Sequence, residues 1–170
     1  EAVKLIETGQ SLILDTGTTT LELAYLLKDF EGITVVTPSL AVASVLQFSS
    51  GIKTILLAGT IRKGSPDLTG SVTEAVLDMF RVDVVFQGAD GVGLDGEVYN
   101  IDPQIANVDR KMRQRARETY LLVDNSKIGK TGFAVNGYVS EAVAIITDLR
   151  IKKEQLSGLK KAGAKIIVAK

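Results

Sequence analysis

Ser11-Leu12-Ile13-Leu14-Asp15-Thr16-Gly17-Thr18-Thr19-Thr20 decides the architecture within ten residues. Leu12–Leu14 is an unbroken aliphatic run, which suits a strand covered on both faces. A short turn of hydroxyls around one glycine follows. Thr20 then opens a helical pattern, with Leu23, Leu26, Leu27 and Phe30 forming an apolar stripe. Asp15 falls on the last residue of the strand. That is the carboxyl edge of the sheet, where open α/β sheets take their ligands.

The same alternation continues along the chain. Further strands are expected at Ile33–Thr37, Lys53–Leu57, Val82–Phe86, Tyr120–Val123, Ala142–Thr147 and Lys165–Ala169. Helical patterns occupy Glu1–Thr8, Thr20–Lys28, Leu40–Phe48, Val72–Phe80, Pro103–Glu118 and Lys152–Ala162. Strands alternating with helices predict an α/β fold with a Rossmann-like, mostly parallel sheet covered by helices on both faces. Val98–Asn100 and Phe133–Val139 read as short extra strands, and the Gly-rich segments 88–96 and 129–137 as loops or hairpin ends. Thr19-Thr20-Leu21-Glu22 and Ser71-Val72-Thr73-Glu74 fit the capping box, and Pro103 fits a first helical position. Ile105, Val108, Met112 and Ala116 form a second stripe. It leaves Arg110, Lys111, Arg113, Arg115 and Arg117 on what reads as a solvated face.

At 170 residues the chain fits one domain, 1–170, able to bury roughly 70% of its unfolded surface. It contains no cysteine and no histidine. Disulfides, thiolate or imidazole zinc sites and Ser-His-Asp catalysis are therefore excluded, and no metal or cofactor is expected. Basic and acidic side chains balance at 20 each, unevenly spread. Residues 1–108 hold 6 basic and 14 acidic groups, while 150–170 hold 7 and 1. Such a chain is a poor nucleic-acid binder by itself, and its basic tail reads as a solvated helix face. No apolar run approaches a membrane span, and the first residues lack the pattern of a signal peptide. A cytoplasmic chain, part of something longer on its N-terminal side, is the expectation.

The turn after Leu14 offers hydroxyls and free backbone N–H groups at a helix start, a combination that attracts an anion and above all a phosphate. The same residues also fit an ordinary turn whose threonines only cap the helix, and taken alone they leave both readings open. Four other strand ends echo the pattern: Thr37-Pro38-Ser39, Ala58-Gly59-Thr60-Ile61-Arg62, Gly88-Ala89-Asp90-Gly91 and Asp124-Asn125-Ser126-Lys127. Together they describe a polar pocket with hydroxyl and backbone donors, carboxylates for sugar hydroxyls and a cation in Lys127. The plainer reading of Lys127 is a surface lysine paired with Asp124.

These segments, with Thr34-Val35-Val36-Thr37, Gly70, Val82-Asp83, Leu122-Val123-Asp124-Asn125-Ser126-Lys127 and Ile145-Ile146-Thr147-Asp148, make the chain resemble the C-terminal effector-binding domain of DeoR-family bacterial transcriptional regulators over nearly its whole length. The resemblance implies a fold similar to ribose-5-phosphate isomerase and coenzyme A transferases. It implies a phosphorylated sugar or related metabolite as effector, and a winged helix-turn-helix domain ahead of residue 1 that carries DNA binding. Self-association into a homo-oligomer is expected. Carried over by position, Asp15, Gly17, Thr18 and Thr19 would form the phosphate loop. Thr20, Thr37, Ser39, Gly59, Arg62, Asp90, Gly91 and Lys127 would complete the ligand site, with no catalytic residue among them. The chain departs from the family at Pro38 and Ala58. It departs also at Asn107 and Asp109, where the family commonly has Glu and Lys near the expected ligand. The alternative is a sugar-phosphate isomerase using Asp90 as base and Lys127 as the enediolate's countercharge. Gly91-Val92-Gly93 after Asp90, in place of a denser acidic cluster, counts against it. Coenzyme A transfer would need a glutamate nucleophile, and Glu97 alone is at hand.

Overall fold

The computed structural model describes residues 1–169; Lys170, the last residue of the expected domain and of its basic tail, lies outside the described residues. Seven strands form one parallel sheet: β1 (Ser11–Leu14), β2 (Ile33–Thr37), β3 (Ile52–Leu56), β6 (Val82–Gln87), β9 (Ala116–Leu122), β11 (Ala144–Asp148) and β12 (Ile166–Ala169). Their order is β12-β11-β9-β6-β1-β2-β3. A two-stranded hairpin, β4 (Thr60–Ile61) and β5 (Leu68–Thr69), stands apart from this sheet. So does a small antiparallel sheet of β7 (Gly91–Val92), β8 (Glu97–Asn100) and β10 (Ala134–Tyr138).

The central strand shows why the sheet is buried on both sides. Successive side chains of a strand point to opposite faces. Leu12 and Leu14 pack with Leu23, Ala24 and Leu27 of α1 (Thr18–Leu27) and with Val42 and Leu46 of α2 (Leu40–Leu46). Ile13, between them, packs with Leu77 of α3 (Ser71–Leu77) and with Val108 and Met112 of α4 (Pro103–Gln114). A third cluster joins Leu121 and Ile145 to Leu159 of α5 (Lys153–Lys161) and to Val92 and Val98 of the small sheet. Phe86 and Tyr120, paired across β6 and β9, stack at 5.6 Å between ring centroids.

Three local expectations differ. The segment read as a helix over Glu1–Thr8 is one 3-10 turn, Ala2–Leu5. Ile6 already has extended backbone, and Gly9 takes a left-handed φ of 92°. The helix from Pro103 stops at Gln114 rather than Glu118. From Ala116 onward the backbone pairs with β6, so sheet hydrogen bonding overrides a locally helix-favouring run. The two hydroxyl capping boxes do not form. Helices α1 and α3 start instead from Gly17 and Gly70, at φ of 100° and 93°, with no side-chain cap. Pro103 does take the first position of α4, after an Asp102 cap that accepts from the Gln104 N–H.

Leu12 is fully buried and Leu26, in the adjoining helix, is 67% exposed. Leu12→Ala is expected to lower unfolding free energy by about 2–5 kcal/mol. Leu26→Ala should stay within about 0.5 kcal/mol of the parent chain in the same urea titration.

Candidate functional site

The sheet order places β1 where the chain's path reverses. From β1 it runs to β2 and β3 on one side, and later from β6 through β9, β11 and β12 on the other. The crevice at the carboxyl ends of such neighbours is the ordinary ligand position of an open α/β sheet. A cleft of about 210 Å³ lies there. Its walls come from the turn after β1 (Asp15 to Thr19), the turn after β6 (Gly88 to Asp90), the β4–β5 hairpin (Arg62, Ser65, Asp67), Asn100 of β8, Ile105 of α4 and Lys127 after β9.

Asp15 joins the two central turns. Its Oδ1 accepts the Thr16 N–H at 2.6 Å, and its Oδ2 accepts the Gly88 N–H at 2.9 Å. Burial raises its pKa from 3.8 to about 7; the Asp67 charge adds to this, and the two backbone donors and Arg113 oppose it. The turn itself is held from beneath by the buried Thr20, whose hydroxyl donates to the carbonyls of Thr16 (2.8 Å) and Gly17 (3.0 Å). With Gly17 rather than a hydroxyl at its cap position, α1 opens beside the cleft with no side chain covering its first N–H groups.

Arg62 pairs with Asp102 at 3.2 Å and more loosely with Asp67 at 4.0 Å, tying the hairpin to the start of α4. Asp67 also accepts the Ser65 hydroxyl. Asp90 Oδ2 accepts the Ile101 N–H, fixing that turn to the end of β8. Lys127 is half-buried, and no ion pair joins it to Asp124 among the described residues.

Of the residues the sequence singled out, Asp15, Gly17, Thr18, Thr19, Arg62, Asp90 and Lys127 line this one cleft. The other five occupy supporting positions. Thr20 lies under the turn. The buried Thr37 hydroxyl accepts the Ser39 N–H, and the Ser39 hydroxyl caps α2. A Cβ on Gly59 would come within 1.9 Å of the Thr73 hydroxyl, and one on Gly91 within 2.6 Å of the Lys130 carbonyl, so both mark close packing. Thr16, Ser65, Asp67, Gly88, Ala89, Asn100 and Ile105 line the cleft without having been named as site residues. Gly88 and Ala89 were visible as a strand end. Ser65 and Asp67 arrive with the β4–β5 hairpin, for which no strand was expected from the sequence. Glu97 is not among the lining residues; it accepts the Tyr99 hydroxyl.

Behind the Asn100 wall is a buried polar network around Arg113, a residue expected on a solvated face of α4. Arg113 points inward, its side chain 7% exposed. Its guanidinium donates to Gln87 Oε1 at 3.2 Å and to Asn136 Oδ1 at 2.9 Å, and meets Glu141 at 3.6 Å. Asn136 donates to Asn100 Oδ1 and, at 3.2 Å, to Asp109 Oδ2. Asp109 is 1% exposed, and its Oδ1 has no hydrogen-bond partner among the described residues. Burial raises its pKa well above the carboxylate range, and the Asp15 charge pushes in the same direction. Asn107, expected near the ligand, is exposed and holds Arg110 instead. Asp109 is near the site but behind its wall.

Fold and cleft together define an α/β domain whose polar cleft opens at the carboxyl ends of its central strands. The family model described as the DeoR C-terminal sensor domain matches residues 1–149, and the chain belongs to that family. The glycerol-3-phosphate regulon repressor of Escherichia coli K12 is 29% identical over 84% of this chain and 57% of its own length. The HTH-type transcriptional repressor GlcR of Bacillus subtilis 168 is 34% identical over 86% of this chain and 56% of its own. The chain thus spans less than two thirds of these relatives. Among solved structures, ribose 5-phosphate isomerase A of Methanocaldococcus jannaschii superposes with a TM-score of 0.54 at 21% identity, over 74% of this chain and 49% of that one. The decarboxylase AibA/AibB gives 0.52 at 14% identity, over 98% and 82%. At these identities the likeness is one of fold, and the family match puts this chain with sensor domains of regulators rather than with those enzymes. No helix among the described residues is long and apolar enough to cross a membrane.

The buried carboxyls give a pH signature. Asp15 and Asp109 hold protons more tightly folded than unfolded, so their contribution is fully present at the acid end and is lost as pH rises through their folded values. Asp83 and Asp148, whose pKa values are lowered by hydrogen bonds from Ser11 and Asn125, act oppositely but only below about pH 5. The melting temperature is therefore expected to fall between pH 5 and pH 8, and Asp109→Asn should flatten that fall in a calorimetric series.

Proposed function

We propose that the cleft binds a phosphorylated sugar or a related phosphorylated metabolite, and that occupancy is signalled to a DNA-binding domain preceding this one in the full-length regulator. The observation that carries this reading is the uncapped start of the ten-residue helix α1 opening beside a cleft that also contains Arg62 and Lys127. Exposed N–H groups at a helix start combine with the macrodipole to favour an anion. The hydroxyls of Thr16, Thr18 and Thr19 add donors, and Asp90 and Asn100 offer partners to sugar hydroxyls. The name of one relative, a glycerol-3-phosphate regulon repressor, is consistent with a phosphorylated metabolite. Residues 1–170 act in this reading as one sensor domain of a cytoplasmic homo-oligomer, without cofactor or catalysis. Signalling requires that the ligand stabilise one arrangement over another. Closure of the hairpin on the bound anion, with Arg62 exchanging Asp102 for it, is the arrangement proposed.

A thermal-shift panel of sugar phosphates tests the assignment. A specific ligand at a hundred times its Kd should add about 2.7 kcal/mol of stability. Lys127→Ala should weaken that ligand ten- to a hundredfold by calorimetry, from a charge-assisted contact of roughly 1.5–3 kcal/mol, and leave the ligand-free melting point unchanged. Thr18→Ala should cost less, because backbone donors remain. Unaltered affinity in the lysine variant refutes the drawn pocket, and turnover of ribose 5-phosphate above background refutes the non-catalytic reading.

With balanced charge the chain by itself should not bind operator duplex at physiological salt, since clustered Lys and Arg supply nearly all non-specific affinity. Micromolar binding in a gel-shift experiment would contradict this.

A further inference from the structure

On one side of the sheet, β9 and β11 are covered, with Leu121 and Ile145 packed under α5 and the small sheet. On the other side, their neighbours Leu122 and Ile146 form the floor of an open groove of about 250 Å³. Helix α1 makes one wall, where Leu26 is 67% exposed, and residues 1–3 make the other. Strand β12, at the far edge, is only half-buried along its whole length. Parallel sheets have both faces covered as a rule. The groove is thus an apolar face without its cover among the described residues. It is separate from the polar cleft, although Thr19 lines both.

We propose that the segment joining the DNA-binding domain to residue 1 docks in this groove as an amphipathic helix that continues the Ala2–Leu5 turn. The inference rests on the reading given above, that such a domain precedes this one. The chain already lies along the groove where it begins: Ala2, Val3 and Leu5 pack against the core, and Glu1 stands in the wall. These residues span less than two thirds of the curated relatives, so a large part of such a regulator lies outside them. The rim is acidic, with Glu22, Asp124 and Asp148, and no lysine or arginine among the described residues lines the groove. A second copy docked about a two-fold axis would set this rim against itself, because such an axis brings the same patch of both chains together. A segment arriving from ahead of Glu1 avoids that conflict and can turn basic side chains toward the rim. A helix suits the place because it satisfies its own backbone N–H and C=O groups, which an apolar floor cannot do. Its apolar side chains rest on Leu122, Ile146 and Leu26. The helix that leads to the DNA-binding domain and the ligand in the cleft then press on the same short helix α1 from two sides.

The chain has no cysteine, so one can be introduced as a reporter. Leu26→Cys is made in the full-length regulator and in the same protein begun at Glu1. Alkylation of residue 26 by iodoacetamide is then followed by mass spectrometry. Leu26 is mostly exposed, so the substitution should leave the fold intact. Docking predicts alkylation at least about tenfold slower in the full-length protein, since a covered thiol reacts only through local opening. Phe48→Cys, at a residue 89% exposed, should react equally fast in both. Equal rates at residue 26 in the two proteins overturn the proposal. If both are slow beside the Phe48 control, the cover is a second copy where the rate falls with protein concentration, and a segment beyond residue 170 where it does not. Alkylation involves no anion, so its outcome is independent of the ligand in the cleft. Operator binding by the full-length protein in a gel shift reports separately on the DNA-binding reading. A protein that binds operator while residue 26 stays fully reactive refutes the docking alone.

Discussion

The bridge made by the Asp15 carboxylate holds the site together. Parallel strands have no hairpin to join their ends, so the turns after β1 and β6 lie side by side with no covalent tie. One carboxylate receives an N–H from each and fixes the distance between them. The rest of the cleft is arranged around that bridge: Thr20 braces the first turn from below, and the Asp90 carboxylate secures the second turn to β8. Burying a charge for this purpose is unfavourable unless the surroundings compensate. The two backbone N–H groups supply most of that compensation, and Arg113 of α4, drawn inward among Gln87 and Asn136 rather than left in water, adds to it.

The sheet was largely legible in the sequence because a strand covered on both faces is mostly apolar. Leu12–Leu14 is wholly aliphatic, Ile33–Thr37 and Val82–Phe86 depart from this only at Thr34, Thr37 and Asp83, and all three are strands. The boundary between α4 and β9 was hidden for the converse reason. Arg115, Ala116, Arg117 and Glu118 favour a helix locally, and only pairing with β6 recruits that run into the sheet. Helix starts were misplaced by a residue or two, because hydroxyl spacing suggests a cap while the left-handed φ at Gly17 and Gly70 makes the turn.

The cleft was legible where it coincides with strand ends. Asp15, Gly17, Thr18, Thr19, Asp90 and Lys127 could be found by asking which polar residues follow an apolar run. Arg113 and Asp109 could not, since nothing local marks a charged residue of an amphipathic helix as inward-facing. Both meet Asn136, which lies 23 residues beyond Arg113 and 27 beyond Asp109 in the chain. Asn107 is the mirror case, placed by alignment near the ligand and by the helix on the outside.

The β4–β5 hairpin contributes Arg62, Ser65 and Asp67 to the cleft, yet its first strand is exposed and of its residues only Leu68 adds a buried apolar side chain. Its links to the body are polar: Arg62 to Asp102, and the backbone bridge from Asp67 to Ser39. Such a segment can exchange its tip residues without opening a hole in the core. Three of the residues that line the cleft are thus separable from the sheet that makes the fold stable. The lining can change through this hairpin while the aliphatic strands beneath it stay under a single, unchanging selection for packing.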